Sequence, residues 1–301
     1  MKRILDFADH RRQLGENRYV YPVMSRRSRG LSIGVNLNPD KVCNFDCPYC
    51  QVDRTTPGRV RGVDLVRLAG ELDALLALAA SGVLWNLDPF DTAAPELRRL
   101  NDVALAGDGE PTTPAEFGPA VEVVGGLLKK HGLSEVQPIV LTNATVWHRP
   151  RVLAALDRVD ELGGRVWAKL DAGTEGYFAF VAGSTLPYQR ILDNLLLGAR
   201  RWPIVVQSMF LRFLGRGPPA HEIEAYLDRL RHILDEGGQI ERVQVYSVAR
   251  VPARSSIDHL PTEELERIAA GVRALGLRTE VFAGFDPLGA LSGAGLSRRP
   301  A

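Results

Sequence analysis

The chain has 301 residues, of which 45% are hydrophobic and 24% are charged, and its formal net charge at pH 7 is +1. This apolar fraction suffices for a substantial core, and a charge near zero provides no overall field to attract nucleic acid or an anionic membrane. No segment approaches the run of about 18 apolar residues that a membrane helix needs. Residues 1–6 lack the apolar segment of an export signal. We therefore expect a globular protein of the cytoplasm.

The first 30 residues are rich in arginine and are predicted to form a basic, partly flexible arm. Its arginines are Arg11, Arg12, Arg18, Arg26, Arg27 and Arg29. After the arm, segments typical of strands alternate with segments typical of helices. The predicted strands cover residues 31–37, 103–107, 138–141, 165–170, 204–209, 242–248 and 279–283. The predicted helices cover residues 65–80, 114–131, 149–161, 188–201, 220–236 and 263–275. Residues 84–100 form an irregular insertion, and the Gly-, Ser-, Arg- and Pro-rich residues 288–301 are predicted to be a disordered tail.

Three helix ends carry recognisable signals. Thr113 followed by Pro114 and Glu116 predicts a capping box with proline at the first helical position. Gly132 and Gly276 directly follow helical segments and predict their C-terminal ends.

The alternation of strands and helices predicts a parallel sheet, as an incomplete β/α barrel or an open wound sheet. In both folds ligands bind at the carboxyl ends of the strands. Polar residues follow or end six of the predicted strands and are expected to meet at that edge: Asn38, Asp108 to Glu110, Thr142 and Asn143, Asp171, Gln207 and Ser208, and Tyr246 to Arg250.

All three cysteines of the chain lie in one short segment with the spacing C-x3-C-x2-C: Cys43, Cys47 and Cys50. A [4Fe–4S] cube normally takes one cysteine per iron, so three cysteines leave one iron open for a small molecule. A structural zinc site would need a fourth ligand such as His10, His131 or His148, none of which lies at a zinc-finger spacing. A disulfide pair would suit a secreted protein, and inert buried cysteines would not need this regular spacing.

These motifs resemble those of the radical S-adenosylmethionine (SAM) superfamily. The similarity rests on the cysteine spacing, with Tyr49 before the third cysteine, and on Gly107-Asp108-Gly109-Glu110-Pro111, which looks like that superfamily's Gly-Gly-Glu motif. The run of residues 25–37 resembles the branch that contains the wyosine-type tRNA synthases, as do the Gly-Glu-Pro-Thr-Thr, Leu-Thr-Asn and Lys-Leu-Asp-Ala motifs. The resemblance implies an α/β fold, an incomplete (β/α)6 TIM-like barrel over residues 31–287 with an extra C-terminal strand.

The resemblance also implies roles for individual residues. Cys43, Cys47 and Cys50 would bind three irons, and the fourth iron would chelate the methionine part of SAM. Reductive cleavage of SAM would then yield a 5′-deoxyadenosyl radical that abstracts hydrogen from the substrate. The remaining predicted SAM-binding residues are Tyr49 at the adenine, Gly109, Glu110 and Pro111 at the methionine amino group, Asn143 and Asp171 at the ribose or carboxylate, and Lys169.

Simpler explanations exist for several of these residues. Simple packing of the loop would equally explain Tyr49, and Asn143 and Asp171 are also ordinary turn residues. Lys169 lies on the same face of its strand as Asp171, so it is expected either to form an ion pair with Asp171 or to contact the substrate.

The favoured function is a radical SAM enzyme acting on a small molecule or a peptide, with an external electron donor of flavodoxin or ferredoxin type. The alternative is tRNA modification of the wyosine type. Archaeal wyosine synthases carry additional upstream cysteines for a second cluster, whereas residues 1–42 contain none, so RNA is not the favoured substrate. A third possibility, a non-catalytic iron–sulfur or zinc protein, would not need the Gly109-Glu110-Pro111 motif.

Overall fold

The computed structural model of the protein describes residues 15–58, 60–249 and 256–284. The first 14 residues of the predicted arm, Arg250 and the predicted tail of residues 288–301 lie outside these ranges. The elements in chain order are β1 (Val20–Ser25), β2 (Gly30–Val35), α1 (Leu65–Ala80), β3 (Leu100–Leu105), α2 (Phe117–Lys130), β4 (Gln137–Thr142), α3 (Pro150–Glu161), β5 (Arg165–Lys169), α4 (Glu175–Ala182), α5 (Tyr188–Ala199), β6 (Ile204–Met209), β7 (Leu211–Phe213), α6 (Ala220–Asp235), β8 (Ile240–Tyr246), β9 (Ile257–His259), α7 (Thr262–Ala274) and β10 (Thr279–Phe282).

The main sheet has eight strands in the order β1-β2-β3-β4-β5-β6-β8-β10. All neighbours from β2 to β10 are parallel, and β1 is antiparallel to β2. The sheet curls into an open half-barrel, with helices packed on its outer face. The predicted incomplete TIM-like barrel is therefore confirmed, including the extra C-terminal strand β10.

The hydrophobic pattern explains why the helices cover the sheet. Leu68, Leu72 and Leu75 of α1 are at most 1% exposed, and their spacing places them on one helix face. Strands β2 to β6 are rich in apolar residues because both faces are enclosed, as expected for a parallel sheet.

The predicted seven strands and six helices are present with small shifts of their ends, and Gly132 and Gly276 have the positive φ angles of helix C-terminal residues (65° and 80°). The predicted capping box is wrong. Helix α2 begins at Phe117, and the Thr113 hydroxyl donates to the Glu110 carbonyl at 2.8 Å, so it is unavailable as a cap.

Helix α4 was not predicted, although both of its ends have ordinary signals. The Thr174 side chain accepts a hydrogen bond from the Tyr177 amide at the start, and Gly183 has a left-handed φ of 56° at the end. The helix has eight residues, too few to show a clear helical period.

The prediction of an arm over residues 1–30 is wrong for residues 20–25, because these residues form strand β1 of the main sheet. The carboxylate of Glu71, on α1, fixes the start of this strand. It accepts hydrogen bonds from the backbone amides of Arg18, Tyr19 and Val20 at 2.8–3.2 Å, and from the Arg67 guanidinium at 2.8 Å. The basic composition of the segment concealed a strand whose anchor lies about fifty residues further along the chain.

Replacing Glu71 with alanine is expected to lower the free energy of unfolding by about 2 kcal/mol, since three buried or half-buried amides lose a charged acceptor. Amide hydrogen exchange should accelerate most in residues 19–24. Glu224→Ala, an exposed glutamate on α6, is the matched control and should leave both measurements unchanged. Unchanged exchange in residues 19–24 of the Glu71→Ala protein would show that β1 does not depend on this carboxylate.

Among the described residues, none of the helices has both the length and the apolar character required to cross a bilayer.

Candidate active site

Most of the predicted polar residues meet at the carboxyl edge of the sheet. Ser208 does not, because its hydroxyl bonds with that of Tyr226 on α6 at 2.8 Å and lines neither cavity described below. The cysteine loop follows β2, the segment Asp108 to Glu110 follows β3, and Thr142 and Asn143 end β4. Asp171 lies two residues beyond β5. The edge is therefore the place where the functional motifs of distant segments come together.

The cysteine loop packs directly against the glycine-rich loop after β3. A Cβ atom on Gly109 would lie 2.1 Å from the Val42 carbonyl oxygen, so no other residue fits there without displacing the cysteine loop. Asn36 joins the same two segments: its Oδ1 accepts from the Asp108 amide at 3.1 Å, and its Nδ2 donates to Asp108 Oδ2 at 2.7 Å. The lack of a side chain at Gly109 thus allows the cysteine loop to pack closely against the loop after β3. The place of Gly109 at the SAM amino group stays a prediction.

Arg54 forms a second connection between the two loops. Its Nη1 lies 3.3 Å from the Cys50 sulfur, and its Nη2 donates to the Asp108 carbonyl at 3.0 Å. The sequence analysis missed this residue, because no spacing pattern marks an arginine four positions after a cysteine as its partner.

Glu110 is only 3% exposed, and its carboxylate joins the ends of β3 and β4. Oε1 accepts from the Thr112 amide and hydroxyl and from the Thr142 hydroxyl at 2.7 Å, while Oε2 accepts from the Asn143 amide at 2.7 Å. Burial raises the pKa of Glu110, and these donors offset part of that rise. Its role at the SAM amino group stays a prediction, and the structure adds a positioning role.

Asn143 connects the end of β4 to the cysteine loop. Its Nδ2 donates to Asn44 Oδ1 at 2.7 Å, and its own Oδ1 accepts from the Thr145 amide and hydroxyl at 3.2 and 2.8 Å. Because Asn44 directly follows Cys43, this network positions the first cysteine. Ribose binding by Asn143 stays a prediction.

Lys169, Asp171, Tyr49 and Tyr246 form one partly buried chain of polar contacts. The predicted ion pair is present, with Lys169 Nζ 3.2 Å from Asp171 Oδ2, and the same oxygen accepts from the Tyr49 hydroxyl at 2.5 Å. Lys169 Nζ also donates to the Tyr246 hydroxyl at 2.7 Å. Burial alone would lower the pKa of Lys169, but Asp171 and Tyr246 raise it above its ordinary value, so the side chain stays an ammonium.

Two adjoining cavities of about 350 and 280 Å³ open beneath the cysteine loop. Cys43, Cys47 and Glu110 line the first, Cys50 and Tyr49 line the second, and both share several wall residues. The shared residues include Arg27, Gln51, Gly107, Leu141 and Lys169. Their volumes suit a small molecule. Pro111 is buried and lines neither cavity.

The three cysteines form no disulfide and are half-buried. Burial raises the pKa of Cys43, and raises that of Cys47 to about 12. Within the described ranges, no group of three or more His, Cys, Asp or Glu side chains is arranged to hold a metal ion. A [4Fe–4S] cube bonds each thiolate to a different iron, so its ligands need not converge on one point. Three thiols on one loop beside a cavity are therefore a donor set that fits such a cluster.

Comparisons with known proteins agree with this architecture, although no family model matches the chain. A UPF0026 protein of Helicobacter pylori is 26% identical over 250 residues, covering 81% of this chain and 70% of that protein. A UPF0026 protein of Methanocaldococcus jannaschii is 24% identical over 218 residues, covering 64% of this chain and 59% of that protein. The match thus leaves a substantial part of these relatives' own length uncovered.

Solved structures with a similar fold are radical SAM enzymes. A radical SAM methyltransferase from Sphaerobacter thermophilus superposes with a TM-score of 0.59 at 13% identity, covering 87% of this chain and 68% of that one. TYW1 with a lysine-pyruvate adduct bound superposes with a TM-score of 0.51 at 14% identity, covering 82% of this chain and 74% of that one. The chain has the fold of the radical SAM enzymes, as its motifs predicted.

Proposed function

We propose that this protein is a radical SAM enzyme that acts on a small molecule. The observation that carries the proposal is the packing of the cysteine loop against Gly109, directly above a cavity that Cys43, Cys47 and Glu110 line together. A site for cluster and SAM needs thiolates, a recognition loop and an enclosed space in contact with one another, and these three features meet here.

Each group of site residues would have a distinct role. Cys43, Cys47 and Cys50 would hold a [4Fe–4S] cluster, which when bound supplies the electron for reductive cleavage of SAM. Glu110 would hold the loop after β3 against the end of β4, and Asn143 would hold the end of β4 against the cysteine loop, through the hydrogen bonds described above. Tyr49 and Lys169, which line the second cavity, would form the wall for the nucleoside, and the Asp171 carboxylate, which lines neither cavity, would hold both side chains in place. The ammonium of Lys169 would be available to an anionic group. An external flavodoxin- or ferredoxin-type protein would supply the electrons.

Wyosine-type tRNA modification remains the second candidate, because TYW1 shares the fold. A lysine-pyruvate adduct requires a neutral lysine amine at the moment of attack. Lys169, the lysine that lines both cavities, is held as an ammonium by Asp171 and Tyr246. This observation and the absence of cysteine in residues 1–42 favour a different substrate.

Anaerobic reconstitution tests the proposal. We expect about four irons per chain with iron–sulfur absorbance, and release of methionine and 5′-deoxyadenosine from SAM after reduction with dithionite. Each of Cys43→Ala, Cys47→Ala and Cys50→Ala should lose the cluster while keeping the far-ultraviolet circular dichroism, since the loop contains no helix or strand and each change removes only one half-buried sulfur atom. Arg61→Ala, an exposed change in the connection that follows the cysteine loop, is the control and should keep the iron.

Three results would contradict the proposal. One zinc per chain without iron–sulfur absorbance would make the site structural. S-adenosylhomocysteine without 5′-deoxyadenosine would indicate polar methyl transfer. An iron content near eight per chain, with two distinguishable clusters, would favour the wyosine-type candidate.

A further inference from the structure

Arg27 lies in the turn between β1 and β2, but its side chain enters the cavity instead of facing solvent. Its guanidinium carbon is 5.6 Å from the centroid of the Trp167 ring and 5.4 Å from that of the Tyr246 ring. Arg27 lines both cavities beneath the cysteine loop. The sequence placed this arginine in a basic arm, whereas the structure places a positive charge inside the half-barrel.

The guanidinium is held in one orientation by a chain of side-chain amides. Arg27 Nη1 donates to Gln207 Oε1 at 2.9 Å, Gln207 Nε2 donates to Gln244 Oε1 at 2.6 Å, and Gln244 Nε2 donates to Glu280 Oε2 at 3.0 Å. An ionised Glu280 carboxylate accepts hydrogen bonds and cannot donate them, so the direction of every bond in this chain of amides is fixed. Gln207 must therefore present its oxygen to Arg27.

Most of the hydrogen-bonding capacity of Arg27 remains uncommitted. A guanidinium has five N–H donors, and Gln207 is its sole hydrogen-bond acceptor among the residues that the structure describes. Arg27 is not needed to connect the two open edges of the half-barrel. The adjacent Arg26 already connects them, because its Nη1 donates to the Ala283 carbonyl at 2.5 Å.

We propose that Arg27 is the receptor for the carboxylate of a small molecule bound in this cavity. This proposal rests on the proposed function in taking that molecule to be the substrate. A planar guanidinium pre-oriented between two rings matches a carboxylate bidentately and loses little side-chain entropy on binding. Asp102 and Glu110 line the same cavity, and their negative charges disfavour a dianionic phosphate more than a singly charged carboxylate.

The test uses the full chain labelled with 5-fluorotryptophan and observed by fluorine NMR. The chain has four tryptophans, and Trp167→Phe identifies the signal of the ring that stacks on Arg27. The probes are sodium propionate and inorganic phosphate, each compared with sodium chloride at the same ionic strength. We expect propionate to shift the Trp167 signal saturably, and phosphate to do so more weakly.

Arg27→Gln should weaken propionate binding by about tenfold or more, because the bidentate charged contact is lost. Arg27→Lys, which keeps the charge without the planar fork, should fall between this variant and the wild type. Arg29→Gln is the matched control, since Arg29 is exposed on the same turn, and it should bind propionate as the wild type does. The other three tryptophan signals report that each variant is folded.

A Trp167 signal that does not respond to propionate in the wild type would overturn the proposal, as would an equal response in Arg27→Gln. Tighter binding of phosphate than of propionate would overturn the assignment to a carboxylate. The titration needs neither cluster nor SAM. A protein that fails to cleave SAM but binds propionate through Arg27 would therefore refute the proposed function alone.

Discussion

Glu110→Ala is expected to lower the free energy of unfolding by about 3–4 kcal/mol. The change leaves the amides of Thr112 and Asn143 without their buried acceptor, and each such loss costs about 1–3 kcal/mol. Relief of the burial that raises the pKa of Glu110 offsets part of this cost. Urea unfolding measures the loss, and the cysteine loop should lose order with the end of β4, since Asn143 connects the two.

Glu110→Gln separates a positioning role from direct contact with SAM. Glutamine keeps one oxygen for the threonine hydroxyls, but its NH2 group would then face the Asn143 amide, donor against donor. We therefore expect a loss of about 2 kcal/mol in stability, together with weaker SAM binding. Glu135→Gln, an exposed change shortly before β4, should alter neither quantity. Normal stability of Glu110→Gln combined with lost SAM binding would instead indicate that Glu110 serves only as a ligand.

Asp102→Asn is expected to stabilise the protein at pH 8 by about 3 kcal/mol and to have no such effect near pH 4. Asp102 is 3% exposed, and its carboxylate accepts a bond from the Ser32 hydroxyl. Burial raises its pKa from 3.8 to about 6, while Ser32 and Arg27 lower it only in part. Each unit of difference between the folded and unfolded pKa corresponds to about 1.4 kcal/mol. Asparagine is never charged, and its oxygen still accepts the bond from Ser32.

The direction in which stability changes with pH follows from proton binding to Asp102. Between about pH 4 and pH 6 the folded wild type holds a proton on Asp102 that the unfolded chain has released, so stability falls as the pH rises through this window. Above pH 6 the penalty of the buried charge is constant. The difference in unfolding free energy between Asp102→Asn and wild type should therefore grow across the window and then level off. Asp160→Asn, an exposed control, should show no such pH dependence, and equal stabilities of Asp102→Asn and wild type at pH 8 would refute the prediction.

Local patterns were sufficient to predict much of this molecule. The alternation of apolar strands with helices of twelve or more residues predicted the curled parallel sheet, because each pattern depends on burial against an immediate neighbour. The cysteine spacing and the Gly-Glu-Pro motif predicted which loops meet at its carboxyl edge. The Lys169–Asp171 ion pair could also be predicted from the sequence, since residues two apart share a face of an extended segment.

Contacts across the half-barrel could not be predicted from the sequence in the same way. Arg27 looked like a solvated charge because its two ring partners lie about 140 and 220 positions away, and only the curl of the sheet brings them to it. The contacts of Arg54 with Asp108 and of Glu110 with Asn143 could not be predicted either. In each pair the two residues belong to different loops, and no local sequence periodicity indicates that they meet. Strand β1 was not predicted because the arginines on both sides of it suggested a solvated arm, although five consecutive residues of the strand are buried.

Strand β1 also has a consequence for the behaviour of the protein in solution. It pairs with the whole length of β2, from Val20 opposite Val35 to Ser25 opposite Gly30. Without it, the amides and carbonyls along that side of β2 would form an unpaired edge, which is a template for adding a strand from another molecule. Pro22 lies in β1 and lacks an amide to donate, which makes the outermost edge a poorer template in turn. The segment that resembled a basic arm thus protects the sheet from self-association.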